Sequence, residues 1–455
     1  MHSHIKAVVD AIESGAVGEW WLPKKPEARK TAVLKRGNVF FDLTMADAAP
    51  IGGEESTILH GLVADVPITL ADCQRFNAIS ESYSAIVVFV GVHADGPWPS
   101  FSKCIFEFEP IDDWASNFPF KVSFPGAQVV STYDRKEDTI AKLGDGSSVT
   151  VRYLFSTNGK PATLTERESA AFVVELPSPK TWPEISREWR FAIDTMLGFA
   201  LQRPVFVTAI EGLTGGKECV ILSPHGMRSR ADGEENDDDR GNTRLLFRFK
   251  ASDFERVFQR WKALCDQHGI IVSWITGYLW QADVYHEQEF VAAAQAAEAI
   301  HRAFFDHEII EKKRFSQLLK EIEGALPSGV PEDLRSRIVG GLPFMNTPTF
   351  QERLTELLAK FETFSSLLHN VDDFVRDVKK TRNDLVHLNR QPKLMKDNFE
   401  KYVASADFLR LLTCEVILDH LGFSLDERKK IWSRNSTHLG LKARLNKPAS
   451  KQETF

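Results

Sequence analysis

Cysteine is sparse and scattered in this chain of 455 residues: five thiols, Cys73, Cys104, Cys219, Cys265 and Cys414, with no Cys-x-x-Cys pair. That spacing argues against a disulfide framework and against a zinc ribbon or finger, so the thiols read as reduced and mostly buried. Long apolar runs are missing as well. No window approaches the roughly 18 uninterrupted apolar residues of a membrane span, and the N-terminus MHSHIKAVVDAIESG has no apolar signal core, so a cytoplasmic protein with no membrane partner is expected. Net positive charge is lacking too. At -7 the chain has no overall attraction to nucleic acid, and any such binding must come from a local basic patch. Nucleophile elbows, zinc motifs and phosphate loops are absent; GLTGGKE (212–218) has neither Walker spacing nor a Ser/Thr after its lysine, which disfavours a hydrolase built on the N-terminal half. His2 and His4, on one strand face or in a frayed terminus, lack a third ligand nearby and read as surface residues.

What is present is an ordinary globular composition, 43% hydrophobic and 26% charged, in a chain long enough for about two to four domains. From residue 32 to about 180 short alternating runs such as SAIVVFVGV (84–92) and SVTVRYLFS (148–156) are separated by Gly- and Asn-rich turns, which predicts a curled sheet or sandwich. A helix follows from Trp182, ending before Pro204, and strands resume at 205–211, 219–223 and 243–249, with a further helix from Asp253 to His268. Between two of those strands, Asp232 to Asp239 holds six acidic residues and reads as a disordered hairpin tip without chemistry. Beyond about residue 280 the pattern is helical, with about six helices joined by short loops. The fold class is therefore α+β: a β-rich N-terminal domain over 1–280, an all-α bundle over 281–432, and a basic, mobile tail over 433–455.

One stretch of the bundle carries chemistry. KKTRNDLVHLNR (379–390) holds Arg382, Asn383, Asp384 and His387, and from Lys379 to Lys396 six cations, Lys379, Lys380, Arg382, Arg390, Lys393 and Lys396, face Asp384 alone. That is the footprint of a phosphate-backbone contact on an acidic protein. Asn383 and His387 stack at i and i+4, which predicts an Asn383 hydrogen bond to the imidazole, whereas Arg382 and His387 are about 140° apart on a helix and converge only by reach. A guanidinium that neutralises phosphoryl charge beside an imidazole that moves the ribose 2′-hydroxyl proton suffices for RNA cleavage without a metal. One such pair is half an acid–base couple, and a two-fold dimer would complete it. The spacing alone is weak: Arg302 and His307 repeat it across apolar residues and read as structural.

RNDLVH, late in a closing helical bundle, resembles the R-N-x-x-x-H signature of HEPN domains. Glu298-Ala-Ile-His-Arg302 is similar to the E-x3-K/R element on an earlier helix of those domains. GEWWLP (18–23), DVPITLADC (65–73) and IDDWAS (111–116) look like the N-terminal domain of ApeA-type abortive-infection proteins. The resemblance implies a metal-independent endoribonuclease without cofactors, usually dimeric through the HEPN bundle and restrained until a phage component is sensed, with transfer RNA as the best-known target class. It implies catalytic roles for Arg382 and His387 with Asn383 in support, and a role for Glu298 in orienting the arginine. Trp20 or Trp21 would then contact the trigger or, as the simpler alternative, anchor the first strand in the core. The rival reading of the bundle is a catalytically silent HEPN module that binds RNA or a protein.

Overall fold

The protein is described from a computed structural model covering residues 3–46, 58–76, 82–96, 98–109, 111–115, 120–125, 130–134, 136–160, 163–223, 243–280, 285–305, 307–387 and 392–447. The acidic run Asp232–Asp239, His2 and Arg390 lie outside these residues. The chain forms two compact units, Met1–Asn242 with Phe247–Asp266, and Thr243–Leu246 with Gln267–Phe455.

Among the described residues the first unit begins with α1 (Ser3–Ser14), so His4 stands on a helix and not on a strand: Val8 and Ile12 bury one side of it. Six strands follow, β1 (Ala16–Trp21), β2 (Lys30–Arg36), β3 (Phe41–Met45), β4 (Ile58–Val63), β5 (Val66–Phe76) and β6 (Ser82–Val90). They run in the order β6-β3-β2-β1-β4-β5, and β5 pairs with β6 to close the ring. The expected curled sheet or sandwich is thus a six-stranded antiparallel barrel, and closure removes the sheet edges. Its interior holds Trp20, Leu34, Phe41, Leu59, Ile68 and Val88, plugged by Val8 and Ile12 of α1. Trp20 fits because position 61 is glycine: a Cβ there would stand 2.3 Å from the indole. Trp21 is 4% exposed with the Arg29 guanidinium 4.6 Å over its ring. Both tryptophans are therefore core anchors, the simpler of the two expected readings, and neither is an exposed contact.

Strand β6 stays paired with β5 over its whole length, but its other edge is divided. Its residues 82–85 pair with β3, while Val88–Val90 pair with β14 (Lys217–Leu222), as the elements between them complete an open sheet. These are β7 (Ser100–Glu109), α2 (Ile111–Ala115), the separate hairpin β8 (Phe120–Ser123) and β9 (Val130–Tyr133), β10 (Thr139–Lys142), β11 (Ser148–Lys160), β12 (Thr163–Thr181), α3 (Trp182–Ile185), α4 (Phe191–Leu201) and β13 (Phe206–Thr214). The order beyond β6 is β14-β13-β7-β12-β11-β10. The helix expected after Trp182 is split by a π-helical turn at Ser186–Arg190, and α4 ends on Gln202 in the left-handed region at φ 54°. The strand expected at 243–249 does not form: Leu246 and Phe247 are buried, and Phe249 donates its N–H to the Trp114 carbonyl and packs in an aromatic cluster with Trp114 and Phe254. The next helix, α5 (Ala251–Gly277), runs on past His268, where it kinks at φ −137° and ψ 37°, and the unit boundary falls inside it.

The second unit is all-helical: α6 (His286–Phe305), α7 (Lys312–Ala325), α8 (Glu332–Gly341), α9 (Phe350–Lys360), α10 (Glu362–Ser365), α11 (Val371–Val386), α12 (Lys393–Asp397), α13 (Phe399–Leu421), α14 (Leu425–Trp432) and α15 (Ser436–Leu445). The core helix is α13, apolar on most of its circumference, with Phe290 of α6 stacked on Tyr402 at 5.1 Å and Phe374 of α11 edge-on to Phe408 at 4.7 Å. The expected mobile tail is corrected over 433–447: Asn435 caps α15, and Leu441 and Leu445 are buried against α13, so the segment closes the bundle. Among the described residues no helix is long and apolar enough to cross a membrane.

Candidate active site

Helix α11 is built to present a motif at its end. Asn370 caps it by accepting the Asp373 N–H at 3.0 Å, acids fill its first turn, and Phe374, Val375, Val378 and Thr381 bury one face. The helix stops at Val386, and His387 is its C-cap residue at φ −88° and ψ 0°. Because α6, α9 and α11 pack on one another, side chains from all three meet at Arg382.

Arg382 donates through Nη2 to Oε2 of Glu298 on α6 at 2.9 Å, and its guanidinium lies 5.1 Å over the ring of Phe350 on α9. Side-chain exposure is 26% for Arg382 and 15% for Glu298, so the pair is largely withdrawn from water and its attraction is little screened. The other oxygen of Glu298 accepts from Arg302 at 2.7 Å, and Arg302 is 59% exposed. One carboxylate thus serves two guanidinium groups, the inner one clamped between an anion and an aromatic face. The Nε of Arg382 is buried with no hydrogen-bond partner, a donor left unused inside the clamp.

His387 is exposed and stands on another side of α11. Among the described residues its imidazole makes no hydrogen bond or ion pair; the bond between His387 and Asn383 is backbone to backbone, N–H to carbonyl at 3.1 Å. The expected Asn383 side-chain bond to the imidazole is therefore not formed. Helical spacing sets Lys380, Asn383 and Asp384 on the His387 side, seven, four and three residues before it, and Arg382 on the far side. Lys380, Thr381 and Asp384 line a cavity of about 470 Å³ whose other walls include Lys393, Lys401 and Lys447. Of the expected RNA-contacting cations, Lys380 and Lys393 meet in this cavity. Lys379 reaches instead to Gln351 of α9 at 3.0 Å, and Lys396 is exposed at the end of α12. Lys401 and Lys447, far from the motif in sequence, were not foreseen.

A second polar group under the clamp was also not foreseen. Arg353 of α9, 1% exposed, donates from Nη1 to Nδ1 of the fully buried His301 at 3.0 Å, and His301 Nε2 meets Glu356 at 2.7 Å. A guanidinium only donates, so Nδ1 accepts and the ring proton sits on Nε2, facing the carboxylate. The signal was in the sequence: Phe350, Arg353, Leu354 and Leu357 form one apolar stripe in which an arginine must find a buried partner. His307 lies 3.7 Å from Glu356, so Arg302 and His307 end on different carboxylates.

With this geometry in hand, comparison with known proteins decides the lineage. A model of the ApeA N-terminal domain 1 matches residues 15–261, more than half of the chain. The chain belongs to the ApeA family. A model of the Apea-like HEPN domain matches residues 291–427, a span that holds Glu298, Phe350, Arg382 and His387. No curated protein and no solved structure matches the chain. As an ApeA-family member with a HEPN domain it is an anti-phage protein of the abortive-infection kind. HEPN domains are generally ribonucleases, which gives the helical unit a nuclease role, and they commonly dimerise and bind RNA.

Proposed function

We propose that the protein is a metal-independent endoribonuclease that is activated by a phage component and then cleaves host RNA, with transfer RNA as the favoured substrate class. The observation that carries this reading is the Glu298–Arg382–Phe350 clamp, which pre-positions a permanent cation at a helical junction on the helix whose C-cap is the exposed His387. In this mechanism His387 takes the proton of the ribose 2′-hydroxyl, the 2′-oxygen attacks phosphorus, and Arg382 neutralises the charge that builds on the phosphoryl oxygens. The 5′-oxygen leaves with a proton given by the imidazolium of His387 in the second copy, and the product carries a 2′,3′-cyclic phosphate. Asn383, on the histidine side of α11, contacts the RNA or the imidazole once the strand is bound; Asp384 supports that face; Lys380, Lys393, Lys379, Lys396 and Arg390 bind the backbone. Since Arg382 and His387 leave α11 on different sides, acid and base come from two copies, and the active form is a homodimer. The barrel-bearing unit is the sensor, and the site of action is the cytoplasm.

The test is cleavage of total cellular RNA by the purified full chain in chelator, with mapping of fragment ends. Arg382→Ala and His387→Ala are each expected to lower the rate by about 10²–10⁴-fold, the range of a lost acid–base or charge-stabilising group, with cyclic phosphate ends in the wild-type products. Unchanged cleavage by both variants, or a strict need for magnesium, would overturn the reading.

A further inference from the structure

Buried between α6 and α9 is a cation that the proposed chemistry does not use. Arg353 is 1% exposed on the apolar stripe of α9, yet its guanidinium is tied in two directions. Nε donates to the Pro348 carbonyl at 2.9 Å, and Nη1 donates to Nδ1 of His301 on α6 at 3.0 Å. The fully buried imidazole carries the connection onward, since its Nε2 proton meets Oε2 of Glu356, back on α9, at 2.7 Å. His301 is thus plugged between two residues of α9 that stand one turn apart. A pair of well-packed apolar side chains would join the two helices as firmly, because exchanging a buried ionic group for hydrophobic residues of similar volume is often neutral or stabilising. What the polar link adds is direction. Apolar contacts tolerate sliding and rolling of one helix on another, whereas hydrogen bonds at both ring nitrogens have a fixed length and angle.

The residues beside the link on those two helices are the ones that grip Arg382. Glu298 stands three positions before His301 on α6, and Phe350 stands three positions before Arg353 on α9, so each neighbours the link on its own helix surface. Glu298 accepts from Arg382 at 2.9 Å, and the Phe350 ring lies 5.1 Å beneath the guanidinium. The Pro348 bond also fixes the entry to α9, two residues before Phe350. A shift of α6 along α9 would move the carboxylate and the ring apart and let Arg382 follow one or the other. From this arrangement we infer that His301 and Arg353 are positioning residues of the nuclease site: they set the register of α6 on α9 and thereby hold Arg382 where it meets the scissile phosphate. The inference rests on the ribonuclease reading and adds to it two residues that act through Glu298 and Phe350.

Steady-state RNA cleavage by the purified full chain, with melting curves, separates positioning from packing. His301→Leu with Arg353→Met replaces the link by apolar contact. This double variant should melt within about 4 °C of wild type, keep KM within about twofold, and lose about 10–100-fold in kcat, the loss of a group displaced by about 1 Å. His301→Gln keeps an acceptor for Arg353 and a donor for Glu356, and should recover kcat to within about fivefold of wild type. A double variant with wild-type kcat, or one whose whole defect lies in KM, overturns the inference, as does a His301→Gln protein no faster than the double variant. So does a double variant that fails to fold or melts more than about 4 °C below wild type, because the pair would then serve the fold itself. RNA left intact by the wild-type protein sinks the ribonuclease reading instead, and heat alone then judges the link. Glu298→Ala should lower the melting temperature of the double variant by less than half as much as it lowers that of wild type, and equal falls would show that the link does not govern the grip on Arg382.

Discussion

Glu298 binds two arginines, and substitution separates them. Glu298→Ala strips the counter-ion from Arg382, whose guanidinium stays on the Phe350 ring at 26% exposure with one buried nitrogen already unsatisfied. Breaking a fully buried ion pair costs about 3–5 kcal/mol, and for the partial exposure of this pair about 2 kcal/mol is appropriate. In a unit of this size that is a fall of about 4–8 °C in melting temperature. An arginine displaced by about 1 Å from its working position should also cost on the order of 100-fold in RNA cleavage. Arg302→Ala removes the outer partner, which is 59% exposed and one helical turn away on the same helix, so the loss should be about 0.3–0.5 kcal/mol with cleavage within a few-fold of wild type. Calorimetry and initial cleavage rates on the two variants give the comparison. Equal losses, or a Glu298→Ala protein that cleaves as fast as wild type or faster, would refute the idea that the carboxylate holds Arg382 ready.

Two further outcomes follow from the helical unit. Glu415, 1% exposed, accepts from Arg428 at 2.9 Å and from the Trp432 indole at 2.6 Å, so Glu415→Ala leaves two donors unmet and should cost about 3 kcal/mol, while Glu415→Gln should cost less; a melting point within 2 °C of wild type (under about 1 kcal/mol) for the alanine variant would disprove this. His438 is pressed between Phe364 and Trp432, and burial holds its pKa below the ordinary 6.5. The unfolded chain then takes up a proton that the folded chain refuses. This part of the stability is fully present above pH 6.5 and is lost toward the lowered folded value, by no more than about 1.4 kcal/mol per pH unit. Melting curves from pH 7.5 to pH 5 should therefore fall more for wild type than for His438→Phe (one fewer titrating site, about one proton at most); parallel curves would count against it.

The elements were readable where local pattern sets them. Alternating burial marks β1 to β4, and the amphipathic period marks α9 and α11, because in both cases one face meets a core, whereas β5 and β6 are buried on both faces over much of their length. Barrel closure was not readable, since it depends on β5 meeting β6 and on a glycine at 61 making room for Trp20, a long-range fit with no local signature. The strand expected at 243–249 failed for a related reason: its aromatic residues suit a sheet equally well and a helix-facing cluster better. At the site, the Arg382–Glu298 pair was foreseeable as a motif and its sharing with Arg302 as helical spacing. The cation–π contact with Phe350 and the cavity lysines 401 and 447 come from elements brought together only by packing. The two sides of α11 were legible from 3.6-residue geometry, which already separated Arg382 from His387 before any coordinates.

A shared strand has a consequence for how the first unit comes apart. Because β6 pairs with β5 along its whole length and divides its other edge between β3 of the ring and β14 of the open layer, neither layer has a complete hydrogen-bonded border without it. Peeling that single ribbon away unzips both at once. The ring and the layer therefore melt together as one cooperative block, and anything that grips β6 from outside acts on the two simultaneously.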